Sequence, residues 1–373
     1  MGLKSKLKHF GFGCLLFTGM CATTTVYADT MRKQKIGAYE GIHDAHDIKS
    51  IYLAQKELGT YNNNLIQNRN RFGIENGQPI IITYDNALSP EFVQSIVDTT
   101  ENLNNVFQAI NKGFVFDAMP ATNQNYPNQI DVSLYPSSFF STTQLAQVSK
   151  FKNGYYLSNA KIAVNSSVEK LSASGKTEVL LHEIMHVLGF EDDYTNYTTV
   201  MRHYDKSSGT PAKLTPEDVK LLYCLYGDIH DKKRTDDFKD FLATYQSNFF
   251  KLAADGLKQF QNITHAIEIQ EQPLILQNQN QNLTFNINGT VDIKTTHQET
   301  NQEIVITKNY INANGVLFFV DTSPTLNKPA FSAIMAKEVG NSLTYIELKN
   351  SPDKENLFTQ QILQNTQNNP PEK

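Results

Sequence analysis

The sequence predicts an α+β fold in two parts: a twisted mixed sheet with a helix that carries two histidines, followed by a smaller all-β domain. Three observations support this prediction. A β-branched run at residues 79–84 predicts a strand, and the amphipathic segment that follows at 90–113 predicts a helix. A further helical segment contains His182 and His186. From about residue 268 short β-branched runs alternate with Asn-Gly and Gly-Asn pairs, which are typical of β-turns.

The first 28 residues have the pattern of a signal peptide. Three lysines precede an apolar stretch from Phe10 to Val26, and the small residues that a signal peptidase reads are Val26 and Ala28. We expect cleavage after Ala28 and a secreted or periplasmic protein. Gly, Thr and Cys interrupt the apolar stretch and no stop-transfer pattern follows it, so no stable transmembrane anchor is expected.

Cysteine content and charge narrow the class of protein further. The chain has three cysteines, and two of them lie in the leader, so Cys224 should be the one cysteine of the mature protein and no internal disulfide is expected. Loss of residues 1–28 removes three lysines and no acidic residue, which changes the formal charge from −5 to −8. No basic patch dense enough to follow a phosphate backbone is present, so nucleic-acid binding is not expected.

Residues 29–75 are predicted to be a propeptide or an N-terminal extension. The segment has a short amphipathic pattern between Ile48 and Leu58 and then a polar run at 62–71. It precedes the main domain at 76–230 and contains no cysteine that would block a metal.

Strand and helix signals fill the region 76–230. Ser89, Pro90 and Glu91 have the pattern of a helix start, with a capping hydroxyl, proline at the first position and an acid in the first turn. The apolar residues that follow keep a helical period up to Gly113. Short strands are predicted at 114–116, 130–134 and 162–164.

The run from His182 to Asp192 reads HEIMHVLGFED and contains metal-binding residue types at helical spacing. His182 and His186 are four residues apart, so on a helix both imidazoles project from one face and can bind one metal ion. Glu183 lies beside them, where a carboxylate can take a proton from water at the metal without binding the metal itself.

Gly189 and Asp192 complete this pattern. A residue without Cβ can end the helix in a left-handed conformation and turn the chain back toward the metal. Asp192 then becomes the candidate third ligand. Two histidines and one aspartate leave a fourth zinc position open for water, as a catalytic zinc site requires.

The run resembles the long zinc signature of the metzincin metallopeptidases, which extends HExxH by xxGxx and a third ligand, usually His. Asp192 in place of that His resembles the snapalysin-type branch, whereas the flanking sequence resembles the matrixin branch. Residues 199–201, Thr-Val-Met, are similar to the metzincin Met-turn, and 214–227 resemble the last helix of a matrixin catalytic domain with its closing Tyr-Gly. The resemblance covers residues 79–227, and its specific motifs lie in 182–227.

The resemblance implies a zinc endopeptidase with a metzincin-like catalytic domain and protein or peptide substrates. His182, His186 and Asp192 would bind one catalytic Zn²⁺, Glu183 would be the general base, and Met201 would form the Met-turn beneath the metal. No compact acidic loop of EF-hand spacing occurs, so neither structural Ca²⁺ nor a second Zn²⁺ is assigned.

Three nearby residues are candidates for supporting roles. His203 stands where some metzincin branches carry Tyr, and Tyr204 is adjacent; either is a candidate hydrogen-bond donor to the oxyanion, or an ordinary surface residue. Asp193 is one residue beyond the family register and is a candidate partner that orients an imidazole.

Metzincins also place an edge strand before the active-site helix, and extended substrate pairs with it. By position, the candidates here are residues 155–157 or the Phe139-Phe140 region.

The remainder of the chain divides into three predicted segments. Residues 231–262 have the pattern of an amphipathic linking helix, and 263–352 that of a β-rich domain, best explained as a small β-sandwich with a binding or targeting role. The polar tail 353–373 is predicted to be disordered.

Two alternatives to an active enzyme remain at this point. The protein could be a catalytically silent zinc-fold module that recognises an extracellular or envelope partner through its C-terminal β domain. It could also be a structural envelope protein in which HExxH occurs by chance. The intact Glu183 favours the enzyme, because a binding module has no need of a base.

Overall fold

A computed structural model describes most of the chain after residue 47, with short gaps. The predicted leader 1–28 lies outside the described residues. No helix among the described residues is long and apolar enough to cross a membrane. The described ranges are 48–60, 72, 78–141, 144–153, 156–192, 199–201, 212–296, 300–321, 330–340, 342–350 and 358–366.

These residues form an α/β protein with five α-helices and two sheets. The first sheet has the strand order β2-β1-β3-β5-β4, in which β4 runs antiparallel to β5 and the other neighbours are parallel. Its strands are β1 (Ile80–Tyr84), β2 (Phe116–Pro120), β3 (Gln129–Tyr135), β4 (Ala146–Asn153) and β5 (Tyr156–Asn165).

Strand β4 was not predicted from the sequence. It is one of the two outer strands of the sheet, and its sequence is mostly polar, with Ala146 buried and Phe151 exposed. A strand that pairs on one side and buries few side chains gives little hydrophobic signal.

Four helices pack around this sheet: α1 (Ile48–Leu58), α2 (Pro90–Ile110), α3 (Ala173–Val187) and α4 (Pro216–Tyr226). Short 3₁₀ helices span Ser137–Phe139 and Ser166–Lys170. The predicted start of α2 is present, since the Ser89 side chain accepts the Phe92 N–H and Pro90 is the first helical residue.

Helix α1 belongs to the core of the first domain. Ile51, Ala54 and Leu58 are buried in the same cluster as the first sheet, and α1 packs against α4. Phe72 is fully buried in that cluster as well. The described residues of the 29–75 segment therefore pack against the first domain.

Helix α5 (Lys232–Phe260) joins the two parts of the molecule. Its first half packs into the core of the first domain through Phe238 and Tyr245, and its second half packs on the second sheet through Ala253 and Leu257.

The second sheet is antiparallel throughout, with the order β10-β11-β12-β13-β14-β6-β7-β8-β9. One buried cluster contains residues from β6 to β8 and from β11 to β14, so a single sheet folds over on itself around one inner face. Its strands are β6 (Leu274–Gln277), β7 (Gln281–Phe285), β8 (Thr290–Thr296), β9 (Glu303–Asn309), β10 (Ile311–Ala313), β11 (Val316–Asp321), β12 (Ala330–Val339), β13 (Ser342–Asn350) and β14 (Phe358–Asn365).

This arrangement corrects two expectations. The nine strands form one continuous sheet, whereas a sandwich would have two. The tail predicted as disordered from residue 353 contains β14, which lies between β13 and β6 and buries Leu363 on the inner face. Its Gln- and Asn-rich sequence gives little hydrophobic pattern from which to predict a strand. The strand is stabilised by pairing with β13 and β6 on its two sides.

Candidate metal centre

Helix α3 carries the two histidines through the interior of the first domain. It begins at Ser172, whose side chain accepts the Gly175 N–H at 3.2 Å. Nearly all of the helix is buried, including Glu183, which is 7% exposed. His182, Glu183 and His186 therefore lie on a helix that is buried along most of its length, where polar side chains are uncommon unless they are paired or serve a site.

The rings of His182 and His186 lie with their centroids 4.7 Å apart and their planes at 85°. Nδ1 of His182 lies 2.8 Å from the carbonyl oxygen of Val200, and Nδ1 of His186 lies 2.9 Å from that of Phe190. Because a carbonyl only accepts hydrogen bonds, each Nδ1 carries a proton and donates. Each Nε2 is thereby directed to the metal-binding side, as ligand histidines require.

Gly189 ends the helix and turns the chain toward the histidines. Its φ is 108°, in the region that side chains with Cβ rarely adopt. The Gly189 N–H donates to the His186 carbonyl and the Phe190 N–H to the Met185 carbonyl, which is the hydrogen-bond pattern of a Schellman motif. The same turn buries Phe190 and places its carbonyl against His186, so the predicted role of Gly189 has a clear structural basis.

Asp192 returns to the two histidines after this turn. Its Oδ1 lies 3.2 Å from Nε2 of His182 and 3.5 Å from Nε2 of His186. The ligand atoms of these three residues lie within 4.8 Å of one another, and no other such group of three occurs among the described residues.

The charges of His182, His186 and Asp192 favour the binding of a cation between them. Burial acts to raise the pKa of Asp192, but the hydrogen bonds from His182 and His186 outweigh it and hold that pKa far below its ordinary value. Burial also acts to lower the pKa of His186, whereas the hydrogen bond with Asp192 and the charge of Glu183 reverse this and raise the pKa. A negative charge held between two Nε2 atoms is what a divalent metal would neutralise.

The donor set fits zinc. Two imidazole nitrogens and one carboxylate oxygen are accepted zinc ligands, and a three-residue set leaves one position open. The oriented Nδ1 hydrogen bonds are the outer contacts that hold such ligands in place.

The segment that supports His182 is itself held by helix α4. Both Asp218 oxygens accept the Val200 N–H, at 3.1 and 3.0 Å, and the same carboxylate accepts the N–H and hydroxyl of Thr215, at 2.8 Å each. Burial raises the pKa of Asp218 to about 7, while the hydrogen bonds from Thr215 and Val200 act to lower it. Met201 follows Val200 and is fully buried.

A tyrosine at the end of α4 supports the end of α3. The Tyr226 hydroxyl donates to the Leu188 carbonyl at 2.7 Å and accepts the Phe72 N–H at 3.0 Å. Leu188 is the C-cap of α3, so Phe72 and α4 both support the turn that leads to Asp192. The closing Tyr-Gly was noted in the sequence, but its link to Phe72 has no local signal.

The predicted site residues fall into two groups. The structure brings His182, His186 and Asp192 together, with Glu183 on the same helix. Met201 lies next to the residue that orients His182. The other three predicted residues lie outside the described residues and stay predictions: Asp193, His203 and Tyr204.

The edge strand differs from the expectation. Strand β5 is internal, between β3 and β4, and Leu157 at its start is buried. The outer strand next to β5 is β4, and Nζ of Lys150 on β4 lies 3.9 Å from a carboxylate oxygen of Glu191, the residue before Asp192. Of the two predicted regions, Tyr156 and Leu157 begin this internal strand, Tyr155 lies outside the described residues, and Phe139 ends the 3₁₀ helix Ser137–Phe139. The outer strand beside the site is therefore β4.

Replacement of Asp218 by alanine is expected to weaken zinc binding although Asp218 is not a ligand. The Val200 N–H would lose its buried acceptor, and the carbonyl that orients His182 would lose its support. We expect zinc affinity to fall by about 10- to 100-fold, and the free energy of unfolding to fall by about 1–3 kcal/mol. A chelator-competition titration and urea unfolding measure the two effects.

Glu217→Ala is the matched control for this variant. Glu217 precedes Asp218 on the same helix, but it contacts Thr60 and Lys220 and not Val200. Glu217→Ala should lose some stability and keep its zinc affinity. Unchanged zinc affinity in folded Asp218→Ala would contradict the positioning role.

The fold and site together describe an α/β protein of two sheets with a converging His, His, Asp group. No protein-family model matches the chain, and no curated protein matches it. Among solved structures the chain resembles that of myroilysin, with a TM-score of 0.28 and 10% sequence identity over 43% of this chain and 97% of that one. At this TM-score the likeness adds no argument, so the interpretation of the site depends on its own geometry.

Proposed function

We propose that the protein is a secreted or periplasmic zinc-dependent endopeptidase of the metzincin type, matrixin-like in its flanking motifs and with a snapalysin-like aspartate as third ligand. One observation carries the proposal: three ligand atoms converge at the end of a helix, and a backbone carbonyl orients each imidazole. The HExxH motif supplies a buried carboxylate in the same helix turn.

His182, His186 and Asp192 would hold the metal. When bound, zinc supplies a Lewis acid that makes water acidic enough to lose a proton near neutral pH. Glu183 then accepts the proton of the attacking water and later delivers it to the amine that leaves the scissile peptide bond. Glu183 is 7% exposed, and the interaction between a carboxylate and a nearby charge is stronger where little water surrounds them.

The proposed substrates are proteins or peptides bound in extended form along β4. An outer strand offers main-chain hydrogen-bonding groups at regular spacing, which recognise a peptide backbone with little demand on its sequence. Lys150 connects this strand to the segment that carries Asp192, so a peptide paired there lies beside the metal ligands.

Removal of zinc tests the proposal. Protein beginning at residue 29 should contain one zinc per chain and cleave casein or a quenched peptide library. Treatment with a chelator should abolish cleavage, and addition of zinc should restore it. Protein that is folded but binds no zinc, or cleavage that persists without metal, would contradict the proposal.

A further inference from the structure

The inner face of the second sheet carries a polar cluster at one end, where the strand pattern would place apolar side chains. On β11 the inner side chains are apolar or aromatic up to Phe319, and the next inner residue is Asp321. On β13 the inner side chain of Tyr345 is followed by those of Glu347 and Lys349. Gln281 on β7 and Ser332 on β12 complete the group. We call these five residues the inner polar cluster: Gln281, Asp321, Ser332, Glu347 and Lys349.

Within this cluster the Lys349 amine contacts the Asp321 carboxylate. The Asp321 side chain is fully buried, and that of Lys349 is 11% exposed. The two residues lie on β11 and β13, on either side of β12, so the lysine crosses the inner face of β12 to reach its partner. The reactive ends of an amine and a carboxyl are thus held in contact by three paired strands.

Glu347 supplies a third buried ionisable group. It accepts hydrogen bonds from the Ser332 hydroxyl at 2.9 Å and the Gln281 amide at 2.8 Å, and the oxygen of that same amide lies 3.4 Å from Nζ of Lys349. Burial raises the pKa of Glu347, against the charge of Lys349 and the hydrogen bond from Ser332. Glu347 therefore keeps its proton to a higher pH than an exposed glutamate does.

Burial changes the chemistry that an amine and a carboxylate can undergo. In water both groups are charged and well solvated, and they do not condense. Two charges held away from water carry a large desolvation cost, and an amine without its extra proton is a nucleophile. Conversion of the pair to an amide removes both charges from the interior of the sheet.

We infer that Lys349 and Asp321 form an intramolecular amide bond, with Glu347 as the proton carrier. The nitrogen of the uncharged amine attacks Cγ of the protonated Asp321 carboxyl, and a C–N bond forms. One C–O bond of the carboxyl then breaks, and its oxygen leaves as water with one hydrogen from the amine and one from the carboxyl. Glu347 gives and regains a proton, so the balance is one amine and one acid converted to one amide and one water.

The bond would close a covalent loop between the last residue of β11 and the end of β13. Such a loop gives a disulfide-free domain the kind of cross-link that exported proteins usually obtain from cysteines. The one cysteine in the described residues, Cys224, lies in the other domain and is not paired.

Intact-mass spectrometry of the denatured protein tests the inference. The mass should be lower than that of the sequence by one water molecule. A tryptic digest should contain a branched peptide that joins the Asp321 and Lys349 segments, with no cleavage at Lys349. The exposed pair Lys294 and Glu303, whose charged atoms lie 2.6 Å apart, is an internal control that should stay uncrosslinked in the same digest.

Three variants separate the cross-link from other losses of water. Lys349→Arg keeps the charge and should have its full sequence mass. Asp321→Asn should lose one ammonia in place of one water, because the leaving group changes. Glu347→Gln keeps the volume and should stay largely uncrosslinked.

A folded wild-type protein at its full sequence mass would overturn the inference. So would a water loss that persists in Lys349→Arg, because an internal imide at an aspartate would explain it. The branched peptide is sought in the wild-type protein, so the test stands even if a variant does not fold.

Discussion

A Glu183→Gln variant is expected to bind zinc as the wild type does and to lose peptide hydrolysis by about 10²- to 10⁴-fold. The amide has nearly the same shape as the carboxylate, so the packing around α3 should be retained. It cannot accept a proton from water at neutral pH, and the attacking nucleophile is no longer generated. Zinc per chain and kcat/KM on a quenched peptide measure the two properties.

The control for this variant is Glu191→Gln. Glu191 is also a carboxylate near the metal ligands, but its side chain is 46% exposed and lies near Lys150. Its replacement should leave kcat within a few-fold of the wild type, since a solvated carboxylate outside the helix does not reach the substrate proton. Glu183→Gln with wild-type kcat/KM would remove Glu183 as the base, because hydrolysis would then proceed without its carboxylate.

The parts of the site that sequence could predict are those set by local geometry. His182 and His186 share a helix face because of their spacing, and Gly189 ends the helix because few other residues adopt its φ. These features depend on neighbours within one or two turns. They required no knowledge of the sheet.

The parts that sequence could not predict depend on contacts between distant segments. Asp218 supports His182 through Val200, and Phe72 reaches Leu188 through Tyr226, and none of these links has a pattern of its own. The pairing of the strands could not be predicted for the same reason. An outer strand with one buried face resembles a polar loop in sequence, and it becomes a strand only when its partner is present.

In the C-terminal sheet the turns could be predicted from the sequence, but one of the strands could not. Its turn signals were local and were found: Asn314 and Gly315 both have positive φ, as a two-residue hairpin turn requires. Strand β14 was missed because its order comes from hydrogen bonds to β13 and β6, at opposite ends of the domain sequence. Composition alone therefore favoured a disordered tail.

Replacement of the third ligand has the other large expected effect. Asp192→Ala should lower zinc affinity by more than about 100-fold, since loss of a ligand should cost at least as much as loss of an outer-shell contact. Its removal leaves two imidazoles without the negative charge that balances the metal. Activity should fall in parallel, and excess zinc should restore part of it. Competition with a chromogenic chelator gives the affinity, and titration of zinc against rate gives the rescue.

Two further substitutions make this test specific to Asp192. Asp193→Ala should retain most of the zinc affinity, because Asp192 has the register of the metzincin signature that the run resembles and its Oδ1 lies 3.2 and 3.5 Å from the two Nε2 atoms. Asp192→His supplies a third histidine, as in the longer metzincin signature that the run resembles, and should bind zinc more tightly than Asp192→Ala. If Asp193→Ala loses zinc and Asp192→Ala keeps it, the ligand is one residue later than proposed.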